Sequence, residues 1–297
     1  MLIEFSEVLL MKLCGMTLLY RDIRGTNEKQ PISDAVRRLA AVGYDAVDAN
    51  LVLICNKVLR LHDDDWKYEA EKIALAAEET GIEIAQCHLP FKGKKVKCHT
   101  PEDLEFYYEM IYRAIDVASF LGIPWGVFHP ETLRGKDLTD DECAKINHET
   151  NDKYIEYALN KNLNIAYENM TLGKCAGYCT YVDQLIHLID SYNDNRIGAC
   201  WDSGHANMVY DDQYEPLMKL GHRLHCTHLN DNIGVDDLHL APFSGTIKWE
   251  SVIKALRDIN YPGVLNLEIG INNQSPDSLK DAGAKYALET LRTLITL

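Results

Sequence analysis

Short apolar runs alternate along the chain with longer segments whose apolar residues recur at helical spacing. The short runs predict strands at 11–17, 44–50, 82–90, 123–131, 163–170, 196–205, 223–231 and 264–269. The longer segments predict helices at 31–42, 66–80, 101–121, 140–160, 181–192, 213–220, 249–259 and 278–297. Gly43, Gly81 and Gly122 each follow a predicted helix directly, as is typical of helix C-termini.

These segments form eight strand–helix units of roughly 35 residues, with no change of composition between them. The pattern predicts an α/β fold, a (β/α)8 TIM barrel, as a single domain over 1–297. The alternative is a doubly wound open sheet, which the lack of a glycine-rich phosphate loop after the first strand disfavours. Residues 1–10 precede Met11 and are read as an upstream start or an added strand.

Composition narrows the classes of function. The formal net charge is −15, from 45 acidic and 30 basic residues, so a broad nucleic-acid interface is disfavoured. The nine cysteines are odd in number and no secretory leader precedes them, so we expect reduced thiols and a cytoplasmic protein. No apolar run approaches the length of a membrane span, so we expect no membrane partner.

Metal-binding residue types cluster at the ends of the predicted strands, from the third to the eighth. In an α/β barrel the carboxyl ends of all strands meet at one mouth. Carboxylate oxygen and imidazole nitrogen together suit Zn, Mn, Fe or Co more than Ca or Mg. The sequence therefore predicts a divalent-metal site built from some or all of His88, His129, Glu168, Asp202, His205, His228, Asp237, His239 and Glu268.

Each candidate also has an ordinary structural reading. A single histidine at a strand end usually packs or caps, whereas Glu168 and Glu268 lie in apolar surroundings where an ionised carboxylate needs a cation or donors. His225 is three residues before His228, and this odd offset predicts that it points away from the barrel interior. The lysine cluster at 92–97 is read as a solvated loop or as cover for an anionic substrate group.

Several motifs carry a resemblance to a known family: CHLPF, FHPE, YEN, WDSGH, THLND, DLHLAPFSGTIKW and NLEI. Together they resemble the xylose isomerase-like TIM barrel superfamily, which includes sugar isomerases and epimerases, inosose dehydratases and AP endonucleases of the endonuclease IV type. In its sugar-active members one divalent ion (Mn, Co, Mg or Zn) is held by Glu, Asp, His and Glu. By position, the resemblance implies Glu168, Asp202, His228 and Glu268 as the metal ligands.

The resemblance also implies roles for individual residues and an alternative activity. The two glutamates would be the catalytic proton-transfer pair, and His205 would contact substrate. In the endonuclease IV branch nine residues hold three zinc ions, and all nine positions match in residue type here. Against that branch, the loop after the second strand ends in HDDDW, which would face phosphates. Against a ketose 3-epimerase, no arginine follows His228 in LNDNIG.

The leading hypothesis is a divalent-metal-dependent isomerase or epimerase. It would act on a small sugar, sugar phosphate or polyol-derived keto compound by proton abstraction next to a polarised carbonyl. The alternatives are a dehydratase or lyase of the inosose dehydratase type and a trinuclear-zinc AP endonuclease. We expect a small carbohydrate-like partner and, as a further expectation, a homo-oligomer. The residues left to bind substrate or additional metal are His88, His129, His205, Asp237 and His239.

Overall fold

The computed structural model describes residues 11–20, 31–57, 59–92, 99–270 and 275–297. Residues 1–10, with their expected start or strand, and most of the lysine cluster lie outside this part of the chain. Eight short strands follow one another in sequence, every one parallel to its neighbour. They are β1 (Leu13–Met16), β2 (Ala46–Asn50), β3 (Glu83–His88), β4 (Trp125–Phe128), β5 (Asn164–Glu168), β6 (Ile197–Asp202), β7 (Leu224–His228) and β8 (Leu265–Leu267).

The strands form a nearly closed barrel, which confirms the predicted fold over the open sheet. The sheet order runs from β7 down to β1 and then to β8. β7 and β8 meet at a single bridge, Leu229 with Leu267, where the Leu229 amide donates to the Asn266 carbonyl at 2.7 Å. Below it the Thr227 hydroxyl donates to the Val264 carbonyl at 2.8 Å. Because the barrel closes here, the residues that follow β7 and β8 lie side by side.

Helices surround the barrel and bury their apolar faces against it. They are α1 (Ile32–Val42), α2 (Trp66–Thr80), α3 (Pro101–Phe120), α4 (Asp140–Asn160), α5 (Val182–Tyr192), α6 (Ser203–Asn207), α7 (Tyr214–Leu220), α8 (Trp249–Asp258) and α9 (Asp277–Leu294). Thr100 and Thr139 start α3 and α4 with reciprocal capping boxes to Asp103 and Glu142. Within the described residues, no helix combines the length and apolarity needed to cross a membrane.

The sixth strand is shorter than the sequence predicts. β6 ends at Asp202, and the short helix α6, rather than the strand, carries His205. The Asp202 side chain accepts the backbone N–H of His205 at 2.7 Å and so caps that helix. The expected strand at 196–205 was thus wrong in its last three residues, because a capping aspartate stops it.

The orientation predicted for His225 is wrong. The register shifts between β6 and β7, because Ala199 pairs with Leu224 and Cys200 with Cys226, which leaves His225 as an extra residue. Its ring stacks on Trp125 of β4, with centroids 4.0 Å apart and planes 13° apart. A Cβ at Gly198 would lie 2.4 Å from that ring. The bulge therefore turns His225 inward, at the amino end of the barrel.

Candidate metal centre and substrate cavity

The structure brings all nine predicted site residues to the carboxyl end of the barrel. Asp202 and His228 are fully buried in its floor. The other seven line one cavity of about 810 Å³: His88, His129, Glu168, His205, Asp237, His239 and Glu268. A polar floor under one large cavity is the usual arrangement of an active site in this architecture.

Glu168 lies at the centre of a group of four histidines. Its Oε2 is 3.0 Å from His129 Nε2 and 3.5 Å from His88 Nε2. Its Oε1 is 3.4 Å from His205 Nδ1 and from His228 Nδ1. The side chain is only 1% exposed. A carboxylate this buried is tolerable because cationic or hydrogen-bonding partners surround it.

Asp202 is held in position by asparagines of two other motifs, YEN before it and HLND after it in the chain. The Asp202 N–H donates to the Asn169 amide oxygen at 2.7 Å, and Asn230 Nδ2 donates to Asp202 Oδ2 at 2.9 Å. A Cβ on Gly204 would lie 1.9 Å from Asn230 Oδ1, so only glycine leaves room for this contact. The glycine of WDSGH is therefore required by its close contact with the asparagine of HLND.

His228 has ring nitrogens that face carboxylates on both sides. Its Nδ1 is 3.0 Å from Glu268 Oε2, and its Nε2 is 3.5 Å from Asp48 Oδ2. Neither nitrogen makes a hydrogen bond of good geometry with any described residue, although both are fully buried. A buried imidazole nitrogen without a hydrogen bond is available to bind a cation.

Asp48 is a buried carboxylate beside the candidate site, and the sequence prediction did not include it. It is fully buried inside the barrel, and its Oδ2 accepts from Gln86 Nε2 at 2.7 Å and from Asn266 Nδ2 at 3.1 Å. A carboxylate behind a metal-binding histidine orients the ring and raises its basicity. The signal was present, since Asp48 interrupts an apolar strand as Glu168 and Glu268 do.

The loop after β7 carries Asp237 and His239 over the cavity. His239 Nδ1 contacts the Glu268 carbonyl at 2.8 Å, which leaves its Nε2 facing Asp237 Oδ2 at 3.2 Å. His205 Nε2 approaches the same oxygen at 3.5 Å. At its base, Asp231 accepts the Trp249 indole N–H at 3.0 Å. The loop is therefore fixed at both ends.

Electrostatics follow from this mixture of burial and opposite charge. Burial raises the pKa of Glu168, but His228 and His129 outweigh it and hold the pKa well below the usual range. Burial also raises the pKa of Glu268, but His228 outweighs it and lowers that pKa to about 2. Burial lowers the pKa of His228, but Glu268 and Glu168 help to raise it well above normal. Burial is the main cause that raises the pKa of Asp202 to about 7.

A divalent ion fits the donor set. One ligand atom from each of Glu168, Asp202, His228 and Glu268 lies within 4.8 Å of the other three. Ligands held about 2.0–2.2 Å from one ion are at most roughly twice that distance apart, so only small movements would be needed. His88, His129 and Glu168 form a second such group, which shares Glu168 with the first.

Comparison with known proteins gives the family. The family model "Xylose isomerase-like TIM barrel" matches residues 36–294. An uncharacterized protein, y4fM, from Sinorhizobium fredii is 30% identical over 169 residues, which is 54% of this chain and 51% of that protein. A D-psicose 3-epimerase from Enterocloster bolteae is 28% identical over 243 residues, or 78% of this chain and 74% of that protein.

Solved structures agree on the fold. A D-tagatose 3-epimerase-like protein superposes with a TM-score of 0.70 at 21% identity, covering 96% of this chain and 98% of the other. At this identity the similarity speaks for the fold alone. The family match covers most of the chain, the strands form a nearly closed barrel, and carboxylates and histidines cluster at its mouth. The chain belongs to the xylose isomerase-like TIM barrel family.

Proposed function

We propose that the protein is a divalent-metal-dependent isomerase or epimerase of a small sugar or a related keto compound. One observation carries the proposal: the buried four-residue donor set, Glu168, Asp202, His228 and Glu268, which lies where the cavity meets the barrel floor. The similarity to a D-psicose 3-epimerase supports the same class of reaction. The ion proposed is Mn, Zn, Co or Mg.

The proposed reaction moves a proton at a carbon next to a carbonyl. A bound divalent ion would supply the positive charge that polarises the carbonyl oxygen. Glu168 and Glu268, on β5 and after β8, would take the proton from one face of the carbon and return it on the other. His88, His129, His205, Asp237 and His239 would hold substrate hydroxyls around that carbon.

His129 has a defined part in this proposal. Its Nε2 lies 3.0 Å from Glu168 Oε2, and burial lowers the pKa of its ring. A neutral His129 would donate one N–H to Glu168 and hold that carboxylate in one orientation. Glu168 Oε1 would then remain on the side of His228 and His205.

A nuclease that uses three zinc ions is the rival reading, and one observation favours it. His205, Asp237 and His239 form a further group of potential ligands beside the first. Among the described residues, however, the ligand atoms that converge within 4.8 Å come in sets that all include Glu168 or Glu268, and His205, Asp237 and His239 belong to none of them. A dehydratase would begin with the same proton abstraction as the epimerase.

Solvent exchange tests the proposal. D-Psicose and D-tagatose are incubated with the Mn²⁺-loaded protein in D₂O, and deuterium next to the carbonyl is followed by NMR. The proposal predicts incorporation that a chelator abolishes and Mn²⁺ restores. Exchange at full rate after chelation, or metal-dependent cleavage of abasic DNA without any exchange, would overturn it.

A further inference from the structure

The cavity extends from the metal centre along a group of hydrogen-bonding side chains, which we call the outer wall. It comes from the loops after β4 and β5 and from α4, and consists of Glu131, Thr132, Thr150, Asn151 and Thr171. Glu131 follows His129 by two positions, so their Cα atoms lie at most about 7 Å apart. The outer wall is therefore within reach of a ligand that is held at the metal centre.

The cavity is larger than one sugar requires. Its volume is about 810 Å³. A hexose has twelve non-hydrogen atoms, and even at the roughly 30 Å³ that a whole water molecule occupies in the liquid, these would fill only about 360 Å³. Every outer-wall residue except Asn151 is half-buried rather than closed in the core. Space beside the outer wall therefore remains when a monosaccharide lies at the metal centre.

Three side chains of the outer wall have unused hydrogen-bonding capacity. The carboxylate of Glu131 and the hydroxyls of Thr132 and Thr150 make no hydrogen bond or ion pair within the part of the chain that the structure describes. Groups at the metal centre differ, because they pair with one another, as His129 does with Glu168 at 3.0 Å. A carboxylate accepts and a hydroxyl both donates and accepts, so together they match the hydroxyls of a sugar.

The charge of the outer wall favours hydroxyls over an anionic group. Among the described residues, two long cationic side chains line the cavity, and each already donates to the protein. Arg134 Nη1 donates to the Leu172 carbonyl at 2.6 Å. Lys92 Nζ donates to the Tyr108 hydroxyl at 3.1 Å. The Glu131 carboxylate, by contrast, is unpaired and would repel a phosphate or carboxylate of a ligand.

The backbone of the outer wall is held in place by the protein itself. Glu131 N–H donates to Asn147 Oδ1 at 2.8 Å, and Asn147 Nδ2 donates back to the Glu131 carbonyl at 3.1 Å. The Tyr178 N–H donates to the Thr132 carbonyl at 2.6 Å. A Cβ on Gly177 would lie 2.6 Å from that carbonyl, so glycine permits this approach of the two loops. A wall that is already ordered loses less conformational entropy when a ligand binds.

We infer that the outer wall binds a second sugar unit, so that the substrate is a keto sugar glycosylated at the carbon furthest from its carbonyl. The carbonyl end would lie at the metal centre, and hydroxyls of the second unit would pair with Glu131, Thr132 and Thr150. This inference rests on the proposed function, since the metal centre would hold the keto sugar. It goes beyond that function in naming the second half of the substrate.

Calorimetric titration of the full Mn²⁺-loaded chain tests the inference. The probes are D-fructose, which is the C3 epimer of D-psicose, and two of its glucosides. Isomaltulose carries glucose on C6 and should bind about tenfold or more tighter than D-fructose, through hydrogen bonds to the outer wall. Turanose carries glucose on C3, beside the carbonyl, and should bind no tighter than D-fructose. Equal affinity for isomaltulose and D-fructose, or binding of neither, overturns the inference.

D-Fructose 6-phosphate separates a second sugar from an anionic group at the same carbon. Because the Glu131 carboxylate would repel the phosphate, this ligand should bind no tighter than D-fructose. If it binds as tightly as isomaltulose or more tightly, the outer wall serves an anionic group and the inference is wrong.

Variants assign the preference to the outer wall. Glu131→Ala and Thr150→Ala each remove one free partner and should lower the isomaltulose-to-fructose affinity ratio about three- to tenfold. The double variant should bring the ratio close to one. Both sugars report on the same folded fraction, so partial unfolding does not change the ratio. Glu149→Ala is the matched control, since Glu149 is an exposed residue of the same helix, 3.8 Å from Lys145 Nζ.

A chelator separates this inference from the proposed function. If EDTA leaves the affinity for D-fructose unchanged, the metal does not hold the keto sugar and the proposed function fails. The affinity ratio and its loss in the double variant decide the role of the outer wall independently of that result. An unchanged ratio in the double variant, or a ratio that Glu149→Ala lowers as much as Glu131→Ala does, would contradict the inference.

Discussion

The two ends of the barrel use histidine in opposite ways. At the amino end, His225 stacks on Trp125, and burial lowers the pKa of its ring. At the carboxyl end, the deeper burial of His228 also lowers the pKa of its ring, but Cys200, Glu268 and Glu168 beside it raise that pKa well above normal. Burial alone makes histidine a neutral packing ring, whereas burial among carboxylates makes it a proton or metal site.

A layer of small apolar residues separates these ends. It is formed by Val127, Ala166, Cys200 and Cys226, one from each of four neighbouring strands. Above this layer lie Glu168 and Asp202, and below it lie Trp125 and His225. The barrel interior therefore changes from aromatic to small and apolar to charged along its axis, and the carboxylates of the candidate site lie at one end.

The largest expected effect is at the centre of the charged end. Glu168→Gln keeps the shape of the side chain but removes its charge and its capacity to take a proton. Deuterium incorporation into the matched ketose should fall by about 10²–10⁴-fold. His225→Phe, at the opposite end, keeps a stacked ring and should exchange at the wild-type rate. Exchange above a tenth of the wild-type rate in Glu168→Gln would refute the role given to it.

The next largest effect is expected at Asp48, which lies behind His228, the proposed metal ligand. Asp48→Asn removes the carboxylate that faces His228 Nε2 and should weaken Mn²⁺ binding by about 10–100-fold. Competition with a fluorescent chelator measures this affinity. Asp45→Asn changes an exposed carboxylate just before the same strand, β2, and serves as the control. If both variants bind Mn²⁺ equally well, Asp48 does not support the site.

The pH dependence of metal binding tests the charged, carboxyl end of the barrel. The pKa of His228 is raised well above normal and that of Asp202 to about 7, so an ion must displace a proton from His228 and, increasingly below pH 7, one from Asp202 as well. Glu268, with its pKa lowered to about 2, releases none in this range. Affinity for Mn²⁺ should therefore fall as pH decreases from 8 to 6, by about tenfold per unit for each displaced proton. Calorimetry in buffers of different ionisation enthalpy counts these protons, and zero proton release would contradict the account.

The smallest effect is at the packing end. His225→Ala removes the ring stacked on Trp125 and should lower the free energy of unfolding by about 1–2 kcal/mol. Urea denaturation measures the loss. Mn²⁺ affinity should stay within twofold of the wild-type value. A large drop in Mn²⁺ affinity with no loss of stability would mean that the ends are not independent.

The barrel could be predicted from the sequence because hydrophobic periodicity and helix-ending glycines do not depend on the details of tertiary packing. Gly43 and Gly81 do end α1 and α2 in the left-handed conformation. The sequence also placed residues such as Glu168 and Glu268 at one end, since parallel strands in a barrel share that direction. Both results follow from local pattern plus topology.

Other features depend on contacts that no local pattern encodes. The bulge that turns His225 inward arises from the register of β7 against β6. The capping role that ends β6 at Asp202 needs the backbone of His205 in place. Asp48 differs from these, since the rule applied to Glu168 would have singled it out.

The central claim is that one ion is held by Glu168, Asp202, His228 and Glu268. It is tested most directly by counting metal per chain. The protein is loaded with Mn²⁺ or Zn²⁺, freed of excess metal by size-exclusion chromatography and analysed by mass spectrometry beside His228→Ala. The account predicts one equivalent in the wild type and less than a tenth of that in His228→Ala. No bound metal, three equivalents of zinc, or full occupancy in His228→Ala would contradict it.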